Sequence, residues 1–133
     1  MTPKYRAWKK AGKELGRVGQ ITFELDGSVS HVLFKGKFLD FNVPINEIIL
    51  MQSTGLVDRD GKEIFEGDIL CDEGIEQESE FVYVTVSYRE GMWVCDQITD
   101  ELCGYGGALN EFNNDYSIIG NIYENPELLE DKE

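Results

Sequence analysis

The chain has 133 residues, 26 Asp and Glu against 12 Lys and Arg, and a formal net charge of -14. That length suits one domain with one real core, and 41% hydrophobic with 11% aromatic residues excludes a wholly disordered chain. The acidic balance argues against a general nucleic-acid binder, whose footprint is basic, and against docking to anionic lipid.

In chain order, residues 1–17 place Lys4, Arg6, Lys9, Lys10, Lys13 and Arg17 against Glu14 alone, a balance of +5 that leaves -19 for the remainder. This stretch reads as a short positive arm and lacks the apolar centre of a signal peptide. Gly19 to Leu25 and Val29 to Phe34 are predicted strands, joined at Asp26-Gly27-Ser28 by a tight turn whose Gly supplies positive φ. Ile45 to Gln52 and Asp68 to Cys71 are further strand candidates. Asp72 to Glu80 carries five carboxylates and no base between two apolar stretches, the pattern of an exposed loop.

Glu80 to Tyr88 is the clearest strand. Val82, Val84 and Val86 share one face, Phe81, Tyr83 and Thr85 the other, which predicts a central position covered on both sides. Arg89-Glu90-Gly91 turns it into Met92 to Gln97. Gly104, Gly106 and Gly107 argue for a loop, with one or two helical turns at most over Ala108 to Asn113. Tyr116 to Tyr123 is the last strand candidate. Asn125-Pro126-Glu127 then starts a brief helix, with Asn capping and Pro at the first helical position. The expected fold is mainly β, a small SH3-like or partly open barrel built from hairpins with little helix. A single domain is expected, with an N-terminal hairpin lobe over 1–45, a barrel-like portion over 46–129 and an acidic tail at 130–133.

No window approaches the ~18 apolar residues of a membrane-spanning helix. Cys71, Cys95 and Cys103 cannot all pair within one chain, and no Cys-x-x-Cys occurs, so buried free thiols in a reducing cytoplasm are predicted.

Candidate chemistry is sparse. Asp58-Arg59-Asp60-Gly61 lacks the Gly and Glu spacing of a calcium loop and reads as a turn. His31, the only histidine, has no nucleophile motif nearby and no second ligand at metal spacing. Glu63, Glu66 and Asp68 cluster around Gly67, either as a divalent-cation site or as solvated acids of a turn, the second being favoured. Gly104-Tyr105-Gly106-Gly107 matches neither a phosphate loop nor a dinucleotide fingerprint. Of the aromatic residues Tyr5, Trp8, Trp93, Tyr105, Phe112, Tyr116 and Tyr123, most are assigned to the core. Trp8, beside Lys9 and Lys10, is the exception that suits stacking on a base. No catalytic residue, metal ligand or cofactor is predicted.

Three stretches carry a resemblance: Lys4-Tyr5-Arg6-Ala7-Trp8, the segment from Met51 to Ile69 (MQSTGLVDRDGKEIFEGDI), and the segment from Ile118 to Leu129 (IIGNIYENPELL). Together, from about Lys4 to Leu129, the chain resembles the YopX family of phage and prophage proteins. The resemblance implies a predominantly β protein with a small barrel, encoded by a phage or prophage and active in the bacterial cytoplasm, and it implies no catalytic residues. A non-enzymatic accessory protein that acts through protein contacts and self-associates is the leading expectation. The candidate interaction residues are Arg6, Trp8, Lys9 and Lys10 of the arm and Glu76, Glu78 and Glu80 of the acidic run. The alternatives are an acidic decoy for a host nucleic-acid-binding enzyme, itself a basic host protein, and a small metal-dependent hydrolase using Glu63, Glu66 and Asp68. Nucleic acid is expected to bind only through the N-terminal arm, and no membrane contact is expected.

Overall fold

Short β-forming runs separated by glycine turns dominate the chain, and the computed structural model, which describes residues 4–71, 83–97, 105–111 and 113–129, is accordingly mainly β. It comprises two units, Met1–Ser53 and Thr54–Glu133, each with its own hydrophobic core.

In the first unit, β1 (Tyr5–Lys9), β2 (Glu14–Phe23), β3 (Val29–Lys35) and β4 (Asp40–Pro44) pair as successive antiparallel neighbours. A 3-10 turn at Ile45–Glu47 leads into β5 (Ile48–Val57), which returns to pair with β1. The order β5-β1-β2-β3-β4, with one short turn between β4 and β5, is an open antiparallel arrangement in which β4 is an edge strand. A flat sheet would hold β1 and β4 about 14 Å apart. Lys9 Nζ of β1 lies 5.0 Å from the centre of the Phe41 ring on β4, a gap that two long side chains on the same face can bridge. Ala7, Val32, Phe34, Val43 and Ile48 form the core of this unit. The predicted turn at Asp26-Gly27 is present: Gly27 has φ 93°, and Asp26 Oδ1 accepts the Ser28 N–H at 2.9 Å.

The N-terminal stretch read as an arm is a hairpin. β1 is hydrogen-bonded on both sides, by β2 and by β5, and its successive residues Ala7 and Trp8, which point to opposite faces, are both buried. Its sequence, YRAWK, has neither β-branched residues nor clean alternation, so propensity understates it. A strand covered on both faces needs no alternation.

In the second unit, the later residues of β5 run beside β6 (Glu63–Phe65). A five-stranded sheet follows in the order β10-β9-β8-β7-β11, made by β7 (Asp68–Cys71), β8 (Tyr83–Arg89), β9 (Met92–Gln97), β10 (Tyr105–Ala108) and β11 (Ser117–Asn121). The described part of the strand predicted as central, β8, is central, with Val84 and Val86 buried on one face. Glu90 and Gly91 both take positive φ, 54° and 84°, the geometry of a type I′ hairpin turn. The glycine segment expected as a loop instead contributes β10, with a register shift between Tyr105 and Gly107 that accommodates it. Helix is confined to 3-10 turns at Ile45–Glu47, Leu109–Glu111, Asn113–Asp115 and Pro126–Leu129 among the described residues, the last beginning at Pro126 as predicted. Neither sheet closes into a barrel.

Candidate functional site

The two units present different chemistry. In the second, the turn after β5 is organised by Asp58, a carboxylate only 2% exposed. Its Oδ1 accepts the N–H groups of Asp60 at 2.8 Å and Lys62 at 2.9 Å, and its Oδ2 accepts the N–H of Ile118 at 2.9 Å. Burial by itself raises the carboxyl pKa. The three backbone donors and the Lys62 charge outweigh it, holding Asp58 below the ordinary carboxylate range. Arg59 N–H bonds to Tyr116 O and Ser117 Oγ donates to Asp60 Oδ2, so the predicted turn also anchors β11. Thr54 Oγ1 donates to Ile64 O, and Asn113 Nδ2 donates to Val57 O, fixing the same strand from two more directions.

The C-terminal motif is built the same way. Asn121 Oδ1 accepts from the N–H groups of Tyr123 and Glu124, while Asn125 Oδ1 accepts from Asn121 N–H at 3.1 Å. The Asn125 oxygen thus serves Asn121, four residues before it. Gly120 sits at a register shift, and a Cβ there would collide with the Asn125 side chain. Ile122 N–H bonds to Gly67 O, joining this motif to the middle one.

Asp68, also 2% exposed, uses Oδ2 to accept the N–H of Phe65 at 2.8 Å across the Gly67 turn, where Gly67 has φ 89°. Among the described residues no three or more His, Cys, Asp or Glu side chains come together as a metal-holding group. Asp68 is a turn anchor. His31 lies half-buried on β3 with its Nδ1 2.7 Å from the Oγ of Ser30. Cys71 and Cys95 are buried free thiols, as expected, and burial with the neighbouring Asp96 charge pushes Cys95 up to about 11. Cys103 lies outside the described residues.

The first unit carries the predicted basic residues. Arg6 and Trp8 stand on β1, and Trp8, only 9% exposed, is a core residue with no face free for a base. Lys9 and Lys10 are at the outer end of that strand, where Lys9 Nζ donates to Ala11 O and Lys10 Nζ donates to Asn46 O. Glu76, Glu78 and Glu80 lie outside the described residues.

Around Lys9 the structure assembles groups that the sequence reading did not join. Glu14, paired with Lys9 across the β1–β2 hairpin, accepts the backbone N–H of Lys37 at 2.6 Å. This brings the β3–β4 turn to the same end of the unit. Lys37 Nζ lies 5.8 Å from the centre of the Phe38 ring, and Lys9 Nζ 5.0 Å from that of Phe41. Phe38 is 88% exposed, Leu39 64% and Phe41 37%. The available signal was Lys35-Gly36-Lys37-Phe38, cations and an aromatic ring interleaved at a glycine turn.

An all-β chain of two units, one cationic with exposed aromatic rings and the other held by buried carboxylate and amide anchors, is thus the class of protein defined here. The chain belongs to the YopX protein family, which it matches over residues 4–130. It is similar to protein EF1440 from Enterococcus faecalis, whose crystal structure aligns with a TM-score of 0.69 at 30% identity, covering 98% of this chain and 99% of that one. A comparison with curated proteins found no match. No helix among the described residues is long and apolar enough to cross a membrane.

Proposed function

We propose that this is a non-enzymatic accessory protein of a phage or prophage, acting in the bacterial cytoplasm through protein contacts and associating with itself. One observation carries the reading. The charge is divided by unit, with eight Lys and Arg against five Asp and Glu in Met1–Ser53, or +3, and four against twenty-one in Thr54–Glu133, or -17. Opposite charge on separate units favours a heterologous contact, the first unit of one copy against the second of the next, which makes a ring if the rotation closes.

Light scattering at about 100 µM chain, in low and in high salt, tests this, since screening at ~1 M salt confines charge attraction to about 3 Å. A mass above the monomer in low salt that falls in high salt is expected. A strict monomer in both removes the proposal.

The -17 unit also supports a second reading, a decoy that occupies the nucleic-acid site of a basic host protein. Capture of host proteins on the immobilised chain tests it. Recovery of no nucleic-acid-binding protein counts against the decoy. The hydrolase reading has no comparable support, because Asp68 is a turn anchor.

A further inference from the structure

We infer that the end of the first unit built by Lys9, Lys10, Lys37, Phe38 and Phe41 is a binding surface for single-stranded nucleic acid. The arrangement is costly. A phenylalanine ring left 88% exposed at a hairpin tip forgoes most of the burial that would stabilise it, and Leu39 beside it is similarly bare. Both sit on a turn that is itself held in place, by the bond from Lys37 N–H to Glu14 and by Gly36 N–H to Leu39 O at 3.0 Å. The rings are therefore presented on ordered backbone.

Charge supplies the second half. Among the described residues, Lys9, Lys10 and Lys37 have no carboxylate in ion-pair contact: their ammonium groups face carbonyl oxygens or ring faces. Lys35 differs, being paired with Asp40 at 3.2 Å. Three cations without a carboxylate in ion-pair contact, two of them within 6 Å of the ring centres of exposed phenylalanines, match a ligand that alternates negative charge with flat aromatic faces. A single strand of nucleic acid does so at every nucleotide. An acidic peptide offers the charge but no faces for the rings, and a duplex keeps its faces stacked inside.

The surface lies wholly within the cationic unit, so the excess acid of the second unit does not contradict it. It differs from the predicted site in its aromatic element, since Trp8 is buried and Phe38 and Phe41 take its place. This inference stands apart from self-association, which is read by mass without nucleic acid present.

Fluorescence anisotropy of a labelled oligothymidine of about 20 nucleotides, titrated with the full chain at about 50 mM salt, is the test. Saturable binding is expected, with log affinity falling against log salt at a slope of about -2 for three neutralised phosphates. Phe38→Ala, a change at an exposed ring, should weaken binding about tenfold while Phe38→Tyr retains it. Lys37→Glu should weaken it further and flatten the salt slope. Unaltered Trp8 fluorescence in each variant, read in a Trp93→Phe background, verifies that the unit is folded. An unchanged anisotropy with the native chain overturns the inference. So does an unchanged affinity for Phe38→Ala, which leaves bare charge attraction. Displacement of the oligonucleotide by an equal length of polyglutamate at equal concentration also overturns it, and identifies an acidic peptide as the occupant.

Discussion

Both units bury an apolar core, but the second adds buried polar side chains that replace backbone partners, which the first hardly uses. Strands β2 and β3 have ten and seven residues, whereas β6, β7 and β10 have three, four and four. A long ladder satisfies most of its own amide groups. A short one leaves donors at its ends, and each buried donor without an acceptor costs about 1–3 kcal/mol. The second unit answers with Thr54, Asp58, Asp68, Asn113, Ser117 and Asn121, all buried, while Ser53 is the only such residue of the first among the described residues. The two units thus share apolar burial and differ in how the ends of their strands are satisfied.

The two tryptophans separate these units experimentally, since Trp8 reports on the first and Trp93 on the second. The largest effect is expected from Phe34→Ala, which empties the middle of the first core and should lower stability by about 3–5 kcal/mol, read by urea denaturation through Trp8 in a Trp93→Phe background. Asp58→Ala should follow, at about 3 kcal/mol through Trp93, because three backbone donors lose their acceptor at once. A smaller loss at Asp58 than at an exposed carboxylate such as Glu127 would erase the contrast between the units.

Gly120→Ala should cost about 1–3 kcal/mol by forcing its new methyl against Asn125. Combining it with Asn125→Ala should give less than the sum of the two single losses, a coupling visible in a double-mutant cycle.

The pH dependence of Asp58 is smaller still. Its folded pKa is depressed, so its contribution is present above the ordinary value of 3.8 and is lost as pH falls through the folded one. The stability difference between the native chain and Asp58→Asn should therefore be constant from pH 7 to about 5 and shrink below pH 4. The weakest signal concerns Cys95. With its pKa raised to about 11, it should resist alkylation at pH 8 until denaturant is added, as mass spectrometry of the labelled peptide will show.

Which parts of this were legible beforehand follows from the same chemistry. The middle and end motifs that carried the family resemblance hold Thr54, Asp58, Asp68, Asn121 and Asn125. At these positions the anchoring role needs an oxygen at one distance, so residue identity is visible as a pattern. The stretch Gly19 to Asn42 contributes none of the three resembling motifs, because an apolar hairpin face asks for volume and alternation, which many residues supply. The Asp26-Gly27 and Glu90-Gly91 turns were readable from composition because their φ values are. β1 was missed because a strand covered on both faces lacks the period that reveals strands, and its charges drew the eye outward. The rim of Phe38 and Phe41 was missed for another reason: it meets Lys9 and Glu14 only across the sheet, and contacts between segments more than twenty residues apart are invisible in a linear pattern.

The bond from Ile118 N–H to Asp58 Oδ2 has a consequence for biosynthesis. It spans 60 residues of sequence, while β1 to β5 of the first unit meet through hairpins and one return strand. As the chain emerges from the ribosome, the first unit has all its strands once Ser53 is out, but the carboxylate at Asp58 must wait for its last donor. During that interval a nascent chain carries one finished unit and one unfinished, acidic unit. Its solubility then rests on mutual repulsion among the carboxylates, which gives the excess negative charge a role before the fold is complete.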